Sequence, residues 1–343
     1  MNLILLEKIL KIPGVSGFES RIRDFIQNEI QNKNLDKIYK DNIGNLIAIK
    51  RGIREDKIVL ISHMDELGLV VSSIDENGLI GFKKIGGIDD RLLISRVVKI
   101  IGEEEILGVI GLIPPHLTVD TKVDSVIPWY NLKIDVGARN KEEVLKMGIK
   151  IGDSIVFDKE IHVKNDIVIG RGLDDRFGCF LLMELIDSYK DKLPLNTIVF
   201  VFSVEEEIGL RGASVIAPQF DPKLIIAVDS VSSTDLNDTP SVYKNSIILG
   251  DGPVIRKIDA RMVVDEEIFN FIYNLSKENN IPIQIGVSGG STDAAITEIS
   301  FTGYKSIPLC FPVRYTHSTV EMVSLRDGLN LINLLDKIID HEL

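Results

Sequence analysis

The stretch Asn196-Thr-Ile-Val-Phe-Val-Phe-Ser-Val-Glu-Glu-Glu-Ile-Gly-Leu-Arg-Gly-Ala213 decides how this chain folds. Its first half is a nearly unbroken apolar run of strand length, rich in β-branched and aromatic side chains. That composition predicts a strand buried on both faces of a sheet. Glu205, Glu206 and Glu207 follow at once, and Gly209 marks a turn. A run of acids is ordinarily a solvated face. Here a buried strand delivers it to a tight turn, so charge stands beside core. Such charge needs a neutralising partner, and metal ions provide one.

The same juxtaposition recurs elsewhere. Lys57-Ile-Val-Leu-Ile-Ser62 reads as a second buried strand, and His63-Met-Asp65 follows it. Lys223-Leu-Ile-Ile-Ala-Val228 reads as a third, closed by Asp229. Asp174-Asp175, within Gly170-Arg-Gly-Leu-Asp-Asp-Arg-Phe-Gly-Cys179, precede a segment of helical texture at 176–190. His317 follows a further apolar segment that begins at Ser306. In open α/β sheets ligands gather beyond the carboxyl ends of strands, so residues distant in sequence are expected to share one crevice. Each feature also has an ordinary explanation. Aspartate at 174–175 suits a helix N-terminus, Asp229 a strand end, and His63 or His317 a structural histidine. The joint pattern points to a metal-dependent hydrolase more than any one piece does. His116, beside Pro114-Pro115, reads as structural or interfacial, and His162 and His341 carry no motif.

Around these strands the chain reads as α/β. Residues 19–33 place Ile22, Phe25, Ile26 and Ile30 at helical spacing, and Leu325–His341 ends the chain as a helix. Between about 67 and 162 the texture changes to short β-rich pieces, such as Leu69–Ile74, Arg96–Ile101 and Leu107–Gly111, separated by glycine and acidic turns. This predicts a small inserted β-barrel. The expected organisation is one domain from 1–66 and 163–343 and a second at 67–162.

Composition narrows the class. A chain of 343 residues carrying a net charge of −12 is a poor partner for nucleic acid, whose phosphates call for basic surface. Cys179 and Cys310 are the only cysteines, too few for a disulfide framework. The start, Met1–Lys8, is too charged for a signal peptide, and no run is long enough to span a membrane. A cytoplasmic location is the expectation.

Five ordered segments carry a resemblance: Ser62-His-Met-Asp-Glu-Leu-Gly68, Leu173-Asp-Asp-Arg-Phe-Gly-Cys179, Glu206-Glu-Ile-Gly-Leu-Arg-Gly212, Ala227-Val-Asp229 and Arg314-Tyr-Thr-His-Ser-Thr-Val-Glu-Met322. Together they resemble the dinuclear-metal aminopeptidases of the TET type, the forty-second metallopeptidase family. Its members carry the names glutamyl aminopeptidase, deblocking aminopeptidase and cellulase-like. The inserted block resembles the family too, in Gly108-Val-Ile-Gly111, Pro114-Pro-His116 and Gly148-Ile-Lys-Ile-Gly-Asp153. The likeness runs over essentially the whole chain.

The resemblance implies a zinc-peptidase-like mixed sheet flanked by helices, with the inserted β-barrel acting as a PDZ-like dimerisation domain. It implies two divalent metal ions per subunit, zinc first and cobalt or manganese as alternatives. His63, Asp174 and Asp229 would hold one ion, and Asp174, Glu207 and His317 the other, with Asp174 shared. Glu206 would be the general base acting on a metal-bridged hydroxide, Asp65 would orient His63, and Asp175 would support the geometry behind the ligands through a cis peptide with Asp174. Glu205 then falls outside the pair, where relatives often carry glutamine. The implied substrates are short peptides, and the implied assembly is a homo-oligomer in which dimers build a dodecamer. Thr319, Ile113 and residues 230–238 depart from the family pattern, which bears on substrate preference because loops near a site select side chains. The readings that compete with peptide hydrolysis are an amidase or deacylase on the same centre, a metal-free glycoside hydrolase using two carboxylates, and a catalytically silent assembly protein.

Overall fold

The computed structural model describes residues 1–117, 126–158, 160–244 and 246–342. The chain divides into two compact units, one of residues 1–66, 161–316 and 320–343, the other of residues 67–160 and 317–319.

The first unit is built on an 11-stranded mixed sheet. Four strands run parallel at its centre, in the order Asn196–Ser203, Arg54–His63, Leu224–Ser232, Ser306–Arg314. Leu46–Lys50 and Arg54–His63 are consecutive in sequence but not neighbours in space. Strand Asn196–Ser203 lies between them, antiparallel to the first and parallel to the second. Its eight residues are all buried, as its apolar run predicts.

Period-two alternation sends its side chains to two separate cores. Ile198, Phe200 and Phe202 pack in the larger cluster with Phe177, Phe180 and Leu181 of the helix Leu173–Ser188 and Leu334 and Leu335 of the helix Leu325–Ile339. Val199 and Val201 face the opposite layer, with Ala213, Ile216 and Ala217. Each such side chain contributes roughly 1.5–3 kcal/mol by leaving water.

Two expected boundaries shift. The strand expected to stop at Val228 continues to Ser232, so Asp229 sits within it. Ser230, Val231 and Ser232 beyond it keep pairing with Phe311, Pro312 and Val313 of the neighbouring strand. The helix expected from Arg176 has its first turn at Leu173, with Asp174 and Asp175 out of helical geometry and joined by a cis peptide.

The second unit is a closed six-stranded antiparallel barrel. Its circuit runs Gly68–Ile74, Ile80–Ile85, Ile134–Asp135, Glu105–Ile110, Arg96–Ile101, Ser154–Phe157 and back. Leu69, Phe82, Val98, Ile100, Ile110 and Ile155 fill it. A short helix, Lys141–Lys146, capped by the Asn140 side chain, interrupts the β-rich texture that the sequence suggests.

Candidate metal centre and active site

The parallel register explains why distant residues meet. Ser203 pairs with His63, so the carboxyl ends of two buried strands are level, and the acids after Ser203 emerge beside the histidine. Asp229, on the next parallel strand, and Asp174, at the distorted start of its helix, complete the group. The His63 Nε2 atom lies 3.3 Å from Asp174 Oδ1, 3.9 Å from Asp229 Oδ1 and 4.0 Å from Glu206 Oε2. Its ligand atom and those of Asp174 and Asp229 all fall within 4.8 Å of one another, and those of His63, Glu206 and Glu207 form a second such group. His63, Asp174, Glu206 and Asp229 are buried, and Glu207 is half-buried.

Supporting residues hold this cluster from behind. The Asp65 carboxylate, fully buried, lies 3.4 Å from His63 Nδ1. It also accepts hydrogen bonds from the Glu206 and Glu207 backbone amides at 3.1 and 3.2 Å. Asp65 therefore fixes the histidine and the acidic turn together. Asp175 engages the end of the strand that carries His63. Its Oδ2 accepts from Ser62 Oγ at 2.5 Å and from the His63 amide at 3.1 Å, which pins the end of the strand. Gly178 is required there, because a Cβ would overlap Asp175 Oδ1 and lie 2.7 Å from Ser62 Oγ. Asp174 is itself oriented by Thr316 Oγ1, which donates to its Oδ2 at 3.0 Å, and by Glu321, which accepts from its amide at 3.1 Å. Glu205 turns outward, pairs with Arg211 and has a positive φ of 55°.

The electrostatics test whether a cation suits this donor set. Burial raises the pKa of Glu207 well above the usual carboxylate range, and Asp174 adds to it against the pull of His63. Burial raises Glu206 likewise, opposed by His63 and reinforced by Asp229 and Glu207. Asp229 is pushed up to about 7, by burial first and by the Asp174 charge. Desolvation works against protonation of His63, yet Glu206, Asp174 and Asp65 raise its pKa well above normal. Carboxylates that repel each other in a buried site, with one imidazole among them, fit a divalent cation, which turns the repulsion into attraction. Mixed nitrogen and oxygen donors suit zinc and its first-row neighbours.

His317 lies on the three-residue piece 317–319 that groups with the second unit, with a positive φ of 59°. Several supporting residues escaped the sequence reading. Thr316 and Glu321 belong to the segment Arg314–Met322, in which the sequence alone gives them no role. Ser16 and Arg176 carry no role in the sequence: a serine in a loop is commonplace, and Arg176 stands next to the Asp174-Asp175 pair in a helix buried on nearly every side.

The M42 glutamyl aminopeptidase family pattern matches residues 44–334. The chain belongs to this family. It is therefore a metal-dependent aminopeptidase, a hydrolase of peptide bonds. This M42 chain is similar to the lysyl aminopeptidase of Pyrococcus furiosus, with 33% identity over 98% of this chain and 96% of that one. Among solved structures it resembles the TET1 peptidase of Pyrococcus horikoshii, which can assemble into a tetrahedron or a large octahedral shell. The identity is 40%, the TM-score 0.89, and 99% of each chain is covered. It also resembles an endoglucanase of Thermotoga maritima at 32% identity and a TM-score of 0.79, covering 98% of this chain and 96% of that one.

Proposed function

We propose that this M42 enzyme removes N-terminal residues from short peptides, using two divalent ions and Glu206 as the general base. His63, Asp174 and Asp229 would hold one ion, and Asp174, Glu207 and His317 the other. The observation that carries the reading is the position of His63, an imidazole within 4.0 Å of carboxylates from three other chain segments. Bound divalent ions supply Lewis acidity, polarising the scissile carbonyl and making water acidic enough to lose a proton near neutral pH. Glu206 takes that proton and delivers it to the leaving amine. Asp65 holds the imidazole and the Glu206 amide in place throughout.

Zinc is the proposed resident metal, with cobalt or manganese able to substitute. The barrel is proposed to join subunits into dimers and those into a dodecamer. On its outer surface Val97 and Val109 are cross-strand partners and Leu107 is next on the same face, and the three are 43%, 44% and 55% exposed. Apolar side chains clustered on a strand face suit a covered surface more than a wet one. Among the described residues no helix is long and apolar enough to cross a membrane; with the chain's two buried free thiols, this supports the cytoplasm as its location.

The test is a set of paired substrates. Free and N-acetylated versions of the same short peptides are incubated with protein stripped of metal and with protein reloaded with zinc, cobalt or manganese. Cleavage of the free peptides alone, restored by metal, is expected. Equal cleavage of the acetylated series would make the enzyme an amidase or deacylase. Release of sugar from β-glucan in chelator would favour the glycosidase reading, which leaves His63 without a task.

A further inference from the structure

One cluster near the site remains without a role, in the loop between the helices Leu3–Lys11 and Ser20–Ile30. Ser16, almost fully buried, donates its hydroxyl to Asp65 Oδ2 at 2.6 Å, the shortest contact that this carboxylate makes. Three residues on, the buried Glu19 accepts from the Glu205 amide at 3.1 Å and from the Gly17 amide at 2.7 Å through the same oxygen. One short loop thus grips the acidic turn at two points: through Asp65, which holds the Glu206 and Glu207 amides, and directly at the left-handed Glu205 peptide.

The loop is itself anchored. Val15 bridges to Glu66 as a strand would, the Ser16 amide donates to Glu66 O, and Glu66 N donates to Gly14 O at 3.0 Å. Arg176, buried in the helix that carries Asp174, donates to the carbonyls of Ile9, Ile12 and Gly14. Gly14 has no room for a side chain, because a Cβ would lie 2.5 Å from Arg176 Nη2 and 2.9 Å from Ile22 Cγ2. The loop is therefore tied to the same helix and the same strand end that present Asp174 and His63.

We propose that residues 14–19 are a brace for the catalytic turn, with Ser16 the positioning residue for Asp65 and Glu19 the positioning residue for the Glu205 peptide. The inference rests on the assignment of Glu206 as base. Without the Ser16 hydroxyl, Asp65 loses its shortest contact, and its Oδ2 is held by the Glu207 amide alone while Oδ1 keeps His63 and the Glu206 amide. His63 and the Glu206 peptide, which share it, then drift from their working positions. Small displacements of this kind cost rate far more than binding.

The experiment compares Ser16→Ala, Ser16→Thr and Glu206→Gln in the zinc-reloaded full chain. Ser16→Ala is expected to lower kcat by about 10–100-fold with KM nearly unchanged and zinc content retained, and Ser16→Thr, which keeps the hydroxyl, to recover most of the rate. Backbone amide exchange across 204–208 in metal-free Ser16→Ala is expected to accelerate, a readout that needs no turnover. A kcat within about twofold of the parent, or one that falls only in step with zinc content or melting temperature, would overturn the brace. Unchanged exchange at 204–208 would overturn it as well. Glu206→Gln separates the two ideas: if it keeps full turnover, the base assignment fails, whereas a dead Glu206→Gln beside an unaffected Ser16→Ala removes the brace alone.

Discussion

Strand Asn196–Ser203 in the first unit is buried at all eight positions, while strand Glu105–Ile110 of the barrel is buried only at Gly108 and Ile110. The contrast goes beyond depth. The first unit breaks the apolar-inside, polar-outside rule by burying acids: Asp65, Asp174, Asp175, Glu206 and Asp229 all lie below 10% exposure. The barrel breaks it the other way, leaving Val97, Leu107 and Val109 facing outward. Departures from ordinary patterning mark the places where something else completes the structure. Buried acids of this kind suit a cation, and an exposed apolar strand face suits the apolar partner proposed for it.

This comparison can be broken at several points. The largest effect should come from metal removal. Chelation is expected to abolish peptide cleavage and lower the melting temperature by several degrees, since a ligand present at 100 times its dissociation constant stabilises the fold by about 2.7 kcal/mol. A melting temperature indifferent to chelation would mean that the acids need no cation. Next, Glu206→Gln should reduce kcat by about 10²–10⁴-fold while metal analysis still finds two ions per subunit. Loss of an ion would instead place Glu206 among the ligands, as its grouping with His63 and Glu207 allows.

On the barrel side, the double substitution Leu107→Glu and Val109→Glu should convert large assemblies into smaller ones by light scattering. It should alter the stability of the dissociated subunit by no more than about 0.5 kcal/mol per exposed site. An unchanged mass would leave the apolar face without a partner.

The smallest effect concerns Asp327, a buried acid distant in sequence from every proposed ligand but His317. Its oxygens accept from the Gly250 and Gly252 amides at 2.7 and 2.8 Å, yet burial lifts its pKa from 3.8 to about 6. Between those values the folded protein keeps a proton that the unfolded chain has released. Stability therefore falls as pH rises through that window and is flat above it. In urea titrations of metal-free protein at pH 4 and pH 7, Asp327→Asn should lose about 1–3 kcal/mol less than the parent across that interval. Identical losses in the two proteins would show that Asp327 titrates normally.

The legible parts of this molecule are those where one residue type in one place carries an unambiguous physical demand. The apolar run at 196–203 reads as a two-faced buried strand, and acids delivered at its end look less like ordinary surface than the same acids elsewhere would, although Glu205 does face outward. Spatial neighbours were less legible. Nothing in Leu46–Lys50 or Arg54–His63 indicates that a strand from some 140 residues later lies between them, because local patterning does not encode pairing partners. The end of strand Leu224–Ser232 was hidden by serines, which sit in strands and turns alike. Supporting residues such as Thr316 and Ser16 were invisible for the same reason: a hydroxyl becomes informative only when the carboxylate it meets is known.

The interposed strand has a consequence for how the protein is made. When a ribosome has completed residues 1–66, Leu46–Lys50 and Arg54–His63 exist, but the strand that separates them has not been synthesised. At usual elongation rates of roughly 5–20 residues per second, Asn196 follows His63 by on the order of ten seconds. The barrel, whose strands all fall between Gly68 and Phe157, can close during that interval. The nascent N-terminal segment must meanwhile avoid pairing Leu46–Lys50 with Arg54–His63 as a simple hairpin. Its polar connection, Arg51-Gly-Ile-Arg54, has no Asn-Gly or Asp-Gly step to favour that hairpin. The crevice that brings Glu206 beside His63 thus cannot form until strand Asn196–Ser203 has been made.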